Sequence, residues 1–248
     1  MEKLKSIAKK IMPASVATWS RKRAIRQRRE RNAALTTREV FSMVYQRNEW
    51  GGVAGEPYSG PGSEAEFTAA YCDVVKQFIA DKKIDTVVDL GCGDFRVGRK
   101  LQVPGVTYLG VDIVPELIAR NERLLGNDEL TFACLDIIED PLPDAGLCLI
   151  RQVLQHLSNI QISRVLEKLG KYPYVLITEH YPADGLPVTP NLDQPHGGDV
   201  RVLDNSAVYL DQPPFNVAGV TTILELKTGD YLVKDGETIR TMLIDRIQ

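Results

Sequence analysis

A chain of 248 residues with 44% hydrophobic and 25% charged side chains can bury one sizeable core with a short extension; it is too short for two full domains, and its composition excludes a fibrous or globally disordered protein. The net charge of −3 hides an asymmetry: residues 1–40 carry a dense set of lysines and arginines against only Glu2, Glu30 and Glu39, so the remainder is clearly acidic. No run approaches the roughly 20 apolar residues that span a bilayer, and no secretory leader is evident, so a cytoplasmic protein is expected, with contact at the inner face of a membrane open to its basic end.

Four cysteines lack any CxxC pair and three histidines are dispersed, so reduced thiols and no metal are expected. In chain order, Leu4, Ile7, Ala8 and Ile11 have the spacing of a weak interfacial helix before Pro13. Residues 1–40 read as a basic extension that suits anionic lipid, nucleic acid or an acidic neighbour, or simply a solvated, partly helical leader. Residues 41–62 read as a lid or leader segment and 63–248 as the main domain.

From residue 63 the periodicity alternates between helix and strand. Ser63 with Glu66 predicts a capping box, followed by a helix with Phe67, Tyr71, Val74 and Phe78 on one face. Strands are expected at 85–90, 106–113, 130–137, 146–150 and 174–178. Between them fall a helix at 115–125, opened by Pro115, and another capped by Ser158 and Gln161 and stopped by Gly170. Strand candidates at 221–226 and 239–247, with 231–234 between them and turns at Gly229-Asp230 and Asp235-Gly236, suggest a closing antiparallel hairpin. The fold class is therefore α/β, a Rossmann-like doubly wound sheet, mostly parallel with an antiparallel C-terminal strand. Ligands of such sheets bind at the carboxyl ends of the strands.

The most informative stretch is Val87-Val-Asp-Leu-Gly-Cys-Gly-Asp-Phe95, a glycine pair at a strand-to-helix turn that permits close ligand approach. A third glycine at dinucleotide-fold spacing is missing, since Arg96 stands there, which counts against a nicotinamide enzyme. Asp112 closes the second strand, where a carboxylate can accept from both hydroxyls of a ribose, and Asp136 closes the third, where it can accept from an adenine amine.

With those residues in place, the chain resembles the class I S-adenosylmethionine-dependent methyltransferases over residues 63–248. The glycine turn looks like their first motif, Leu109-Gly-Val-Asp-Ile113 their second and Ala133-Cys-Leu-Asp-Ile137 their third. The resemblance implies S-adenosyl-L-methionine as cofactor, with Asp89, Gly91 and Gly93 around its amino-acid portion, Asp112 at its ribose, Asp136 with Ile137 at its adenine, and Ile113 also against the cofactor. It also implies that Arg151, opening Arg151-Gln-Val-Leu-Gln-His-Leu157, faces the methionine part. The absence of an Asn-Pro-Pro-Tyr type of motif counts against base N-methylation.

A narrower similarity rests on Phe41-Ser-Met-Val-Tyr-Gln-Arg-Asn-Glu-Trp-Gly-Gly52, Ser59-Gly-Pro-Gly-Ser63 and Pro213-Pro-Phe-Asn216. These look like a bacterial subgroup often associated with surface-polysaccharide or other glycan genes. Where that subgroup tends to show Gly-x-Trp-Arg, this chain has Gly198-Asp-Val-Arg201, which weakens the transfer of substrate residues.

Methyl transfer to a hydroxyl calls for alignment and benefits from a base titrating near neutrality. His156, His180 and the neighbouring carboxylate Glu179 are the catalytic candidates, each with a structural role as its alternative. Tyr45, Asn48, Trp50, Tyr58, Ser59 and Ser63 are candidates for a lid, and residues 182–216 for shaping the acceptor site. O-methylation of a glycan or related small molecule is the preferred expectation; an RNA methyltransferase using the basic arm and a non-catalytic cofactor-binding scaffold are the rivals.

Overall fold

The computed structural model describes residues 14–228 and 236–247, with side chains from residue 23. The expected interfacial helix around Leu4–Ile11, the strand at 231–234 and the first turn of the C-terminal hairpin lie outside the described residues.

Among the described residues seven strands form one sheet: β1 (Thr86–Leu90), β2 (Thr107–Asp112), β3 (Leu130–Cys134), β4 (Leu147–Arg151), β5 (Tyr174–Tyr181), β6 (Val220–Lys227) and β7 (Thr238–Asp245). Their order is β3-β2-β1-β4-β5-β7-β6. The first five pair in parallel, while β7 lies antiparallel to both β5 and β6. Strand order reverses between β1 and β4, and a doubly wound sheet opens its ligand crevice at such a reversal.

Alternate residues of the central strands enter different cores, as a period of two requires. Val88, Leu90, Cys148, Ile150, Val175 and Ile177 pack on one face with Ile162 and Val165 of helix α5 (Asn159–Lys168). Val87, Leu147, Leu149 and Leu176 pack on the other with Tyr71, Val75 and Ile79 of helix α3 (Ala65–Lys82). Helix α4 (Pro115–Leu125) carries proline in its first turn, and Ser158 and Gln161 form the expected reciprocal cap of α5.

Four local readings are corrected. Ser63 and Glu66 do not form a capping box: Ser63 lies in a 3-10 turn (Pro61–Ser63), its hydroxyl donates to Gly60 O at 2.6 Å, and Glu64 takes the N-cap position. β3 ends at Cys134, so Asp136 stands in the turn beyond it, where its Oδ1 accepts from Ile138 N at 2.8 Å. β5 extends to Tyr181 because β7 pairs with it throughout, setting Glu179 opposite Arg240 and His180 opposite Ile239. Helix α5 stops at Lys168, followed by a 3-10 turn (Leu169–Lys171), rather than running to Gly170.

Ahead of the sheet lie helix α1 (Ala14–Ala33) and helix α2 (Thr37–Gln46), the latter opened by a capping box between Thr36 and Glu39. Helix α2 runs across residue 40, so the extension and the lid segment share one element. The last turns of α1 are tied to the 182–216 segment: Arg28 pairs with Asp199, Arg29 with Asp204 at 2.6 Å and with Gln194 at 3.1 Å. That segment is itself anchored by Arg201, 1% exposed, which donates to the Leu192 and Leu157 carbonyls, each at 2.7 Å. Among the described residues no helix is long and apolar enough to cross a membrane, and the four cysteines are free thiols.

Candidate functional site

The site grows from the turn after β1. Gly91 and Gly93 both have positive φ, 85° and 57°, which side chains disfavour. Space imposes glycine independently: a Cβ on Gly91 would meet Val153 Cγ2 at 2.4 Å, and one on Gly93 would meet Ser59 Oγ at 2.3 Å. The turn is fixed by N–H donation from Gly91 and Cys92 to Val111 O (2.7 and 2.9 Å) and from Gly93 to Asp112 Oδ2 (3.0 Å). Asn121 on α4 holds the other side, its amide donating to Gly93 O at 2.8 Å.

One cavity opens over the tips of β1 to β4. It is lined by residues from Asp89 and the glycine turn, by Asp112 and Ile113, by the stretch from Leu135 to Ile138, and by Arg151 and Val153. All eight residues expected around the cofactor line it: Asp89, Gly91, Gly93, Asp112, Ile113, Asp136, Ile137 and Arg151. The lid residues Tyr45, Trp50, Ser59 and Ser63 line it as well, whereas Asn48 and Tyr58 do not. The lid is bonded to the glycine turn: Ser59 Oγ accepts from Asp94 N at 2.9 Å, Tyr45 hydroxyl lies 2.9 Å from Ser59 Oγ, and Ser59 N donates to Asp94 Oδ2 at 3.2 Å.

Burial shapes the charges. It pushes the Asp89 carboxyl up to about 6, partly offset by the Tyr108 hydroxyl donating to Oδ2 at 2.9 Å and by the Arg151 guanidinium. Burial raises Asp112 as well, opposed by the N–H groups of Val114, Gly93 and Ile113. Arg151 is held below the usual guanidinium range by burial; its Nη2 donates to Gly62 O at 2.8 Å and Phe67 O at 3.3 Å, and its guanidinium lies 5.1 Å from the Tyr71 ring centroid. Arg151 therefore braces the lid from the cavity floor.

The three catalytic candidates separate. His156 lines the cavity beneath the Phe41 and Trp50 rings, with centroids 6.2 and 5.2 Å away. Its Nδ1 lies 3.2 Å from Asp199 O, a carbonyl that can only accept, so Nδ1 carries the proton and Nε2 the lone pair. Burial drives its pKa down to about 4, leaving a neutral, weakly basic ring at neutral pH. Glu179 does not reach the cavity: it is fully buried, and its oxygens accept from Leu154 N at 2.9 Å and Gln155 N at 3.2 Å, bracing the turn that carries His156. His180 also lies outside this cavity and lines an adjoining one.

Several site residues carried no readable sequence signal. Tyr108 and Asn121 act through bonds across 19 and 28 positions. Gln152 occupies the left-handed region at φ 55° on the lip of β4, a conformation that no local composition announces.

A protein-family profile described as a methyltransferase domain matches residues 88–172. No curated protein matches the chain. Among solved structures, N-methyltransferase NodS from Bradyrhizobium japonicum WM9, in complex with S-adenosyl-L-homocysteine, superposes with a TM-score of 0.56 at 12% identity, covering 81% of this chain and 97% of that one. The 1,6-didemethyltoxoflavin-N1-methyltransferase of Burkholderia thailandensis gives 0.52 at 15% identity over 84% and 87% of the two chains. Magnesium protoporphyrin IX methyltransferase (ChlM) from Synechocystis PCC 6803 gives 0.51 at 15% identity over 84% and 99%. At these identities the likeness establishes the fold. The family match begins within β1 and runs through α5, the stretch that supplies the glycine turn and the acidic strand tips, so residues 88–172 carry a methyltransferase domain set in a Rossmann-like methyltransferase fold.

Proposed function

We propose that the protein methylates a hydroxyl of a small polar acceptor, with a glycan or glycoside as the acceptor class, and that residues 63–248 form the catalytic domain with 41–62 as its lid. The observation that carries this reading is the covered cavity: the cofactor tips lie under Tyr45, Trp50 and Ser59, and the lid is bonded to the glycine turn. Such a roof suits a small molecule that is enclosed rather than a polymer laid across an open face.

The residues present suit the cofactor. Asp112 retains lone pairs for ribose hydroxyls beside the backbone N–H groups it accepts, Asp89 offers a carboxylate to an ammonium, and Leu135, Ile113 and Ile137 give apolar flanks for a flat base beside Asp136. S-adenosyl-L-methionine supplies a methyl group activated on a sulfonium, so the protein's task is chiefly alignment and exclusion of water. Arg151 and Ser59 hold the lid and the glycine turn in register for that task.

The charges of α1 favour this reading over the RNA rival. Arg28 and Arg29 turn inward to Asp199, Gln194 and Asp204 and so serve packing. The Burkholderia thailandensis N1-methyltransferase structure holds the small molecule 1,6-didemethyltoxoflavin, which agrees with an acceptor of that size. A radiolabelled methyl-donor assay on fractionated cell extract tests the reading. A methylated glycan or small hydroxyl compound is expected; label in RNA, or in no fraction, overturns it.

A further inference from the structure

A second cavity adjoins the first, between the lid turn at 59–62 and residues 198–203, and the two share Trp50, Ser59, Gln152 and His156 as their partition. We propose that this second cavity is the acceptor chamber, that it takes a sugar-like molecule rich in hydroxyls, and that His180 is its base with Glu237 as positioning partner. The proposal rests on the methyl-transfer reading above and adds the place and chemistry of the acceptor.

The lining supports that class of ligand. Gln152 and Gln155 offer amides, which donate and accept as sugar hydroxyls do, and Trp50 offers an aromatic face to C–H groups. Gln155 is 3% exposed and its Oε1 has no hydrogen-bond partner, an arrangement that costs stability unless a donor arrives. Gln152 adopts φ 55° at the partition, a local backbone strain of the sort that collects at functional sites. The carboxylate in the lining, Asp199, is already held by Arg28, so the chamber presents amides and imidazoles rather than an open charge.

His180 lines the chamber from β5, and its Nε2 lies 2.9 Å from Glu237 Oε2, both side chains almost wholly buried. The contact is an ion-pair approach rather than an aligned hydrogen bond. A carboxylate at Nε2 draws the ring proton to that nitrogen, leaves Nδ1 as the basic site and stabilises the imidazolium that forms when Nδ1 takes a proton. Among the described residues no carboxylate lies within ion-pair distance of the His156 ring nitrogens, and its Nδ1 faces the Asp199 carbonyl. In the transfer, the acceptor O–H proton passes to His180 Nδ1 while the oxygen–carbon bond forms and the carbon–sulfur bond breaks. The bonding pair stays on sulfur, and the proton later leaves to solvent.

The test uses the full chain saturated with S-adenosyl-L-homocysteine and a panel of methyl glycosides as probes. Saturation-transfer NMR is expected to show glycoside binding that weakens at least 10-fold in both Gln152→Asn and Gln155→Leu; the first keeps a residue tolerant of the left-handed region and the second keeps volume. Histidine nitrogen NMR is expected to show the neutral His180 ring carrying its proton on Nε2, and Glu237→Gln to spread that proton over both ring nitrogens while Glu237→Asp keeps it on Nε2. Calorimetry for S-adenosyl-L-homocysteine on the same samples separates the two levels. Cofactor binding without glycoside binding, glycoside binding indifferent to both glutamine changes, or a His180 proton on Nδ1 overturns the acceptor chamber alone. Loss of cofactor binding in the unaltered protein overturns the methyl-transfer reading beneath it.

Discussion

Gly93 N donates to Asp112 Oδ2 at 3.0 Å, so the turn ending β1 is pinned to the tip of β2 by the same carboxylate that would receive a ribose. The turn and the acid thus form one unit, closed from above by Ser59 on the lid. Any change at Gly93 disturbs cradle and lid together.

Gly93→Ala is expected to destabilise the protein by about 1–3 kcal/mol, because the new methyl group meets Ser59 Oγ at 2.3 Å on a backbone already at φ 57°. Urea unfolding checks this. Adding Ser59→Gly should recover part of the loss by removing the clash while leaving the backbone strain.

Cofactor affinity should depend on pH through Asp89. Burial raises this carboxyl to about 6, so below that pH it is largely protonated and cannot pair with an ammonium. Affinity for S-adenosyl-L-homocysteine is expected to rise as pH climbs through about 6 and then level off. Asp89→Asn should flatten that rise, as titrations at pH 5, 6, 7 and 8 would reveal.

Glu179 gives a stability dependence of opposite direction. Its folded pKa lies near 8, above the usual 4.5, so the folded protein retains a proton that the unfolded chain has released between those values. This contribution is complete below about 4.5 and is lost as pH rises through about 8. The stability of Glu179→Gln relative to the unaltered protein should therefore improve steadily from pH 5 to 8; a constant difference in urea midpoints would show that the carboxyl does not titrate as described.

The helix carrying Arg28 and Arg29 should come loose when its anchors are removed. Asp199 is 8% exposed and holds Arg28, while Asp204 holds Arg29. A double Arg28→Ala, Arg29→Ala variant is expected to be cleaved by trypsin within the arginines of α1 at least several-fold faster, with the sheet domain surviving. Equal cleavage rates would show that these pairs do not hold the helix.

Most of the parallel sheet was legible because buried parallel strands are short apolar runs and their connecting helices are amphipathic, as in 106–113 followed by the Pro115 helix. The residues that meet in the cavity were legible for the same reason: Gly91, Gly93, Asp112 and Asp136 follow the ends of those runs. The ends themselves were less so, since β5 continues to Tyr181 only because a distant β7 pairs with it. That extension turned Glu179 inward to the Leu154 and Gln155 N–H groups and set His180 beside Glu237, 57 positions along the chain. Ser63 and Glu66 matched a capping pattern, but Gly60 O took the Ser63 hydroxyl first. Contacts of this long-range or competing kind leave no periodic trace in the sequence.

The central claim is that the glycine turn and the acids at the strand tips form one cofactor cradle, and calorimetric titration with S-adenosyl-L-homocysteine tests it most directly. One saturable site is expected, with Asp112→Ala weakening it at least 10-fold, or about 1.4 kcal/mol or more, because charged hydrogen-bond acceptors contribute on that scale. Absence of saturable binding, or unchanged affinity in Asp112→Ala, would contradict the account.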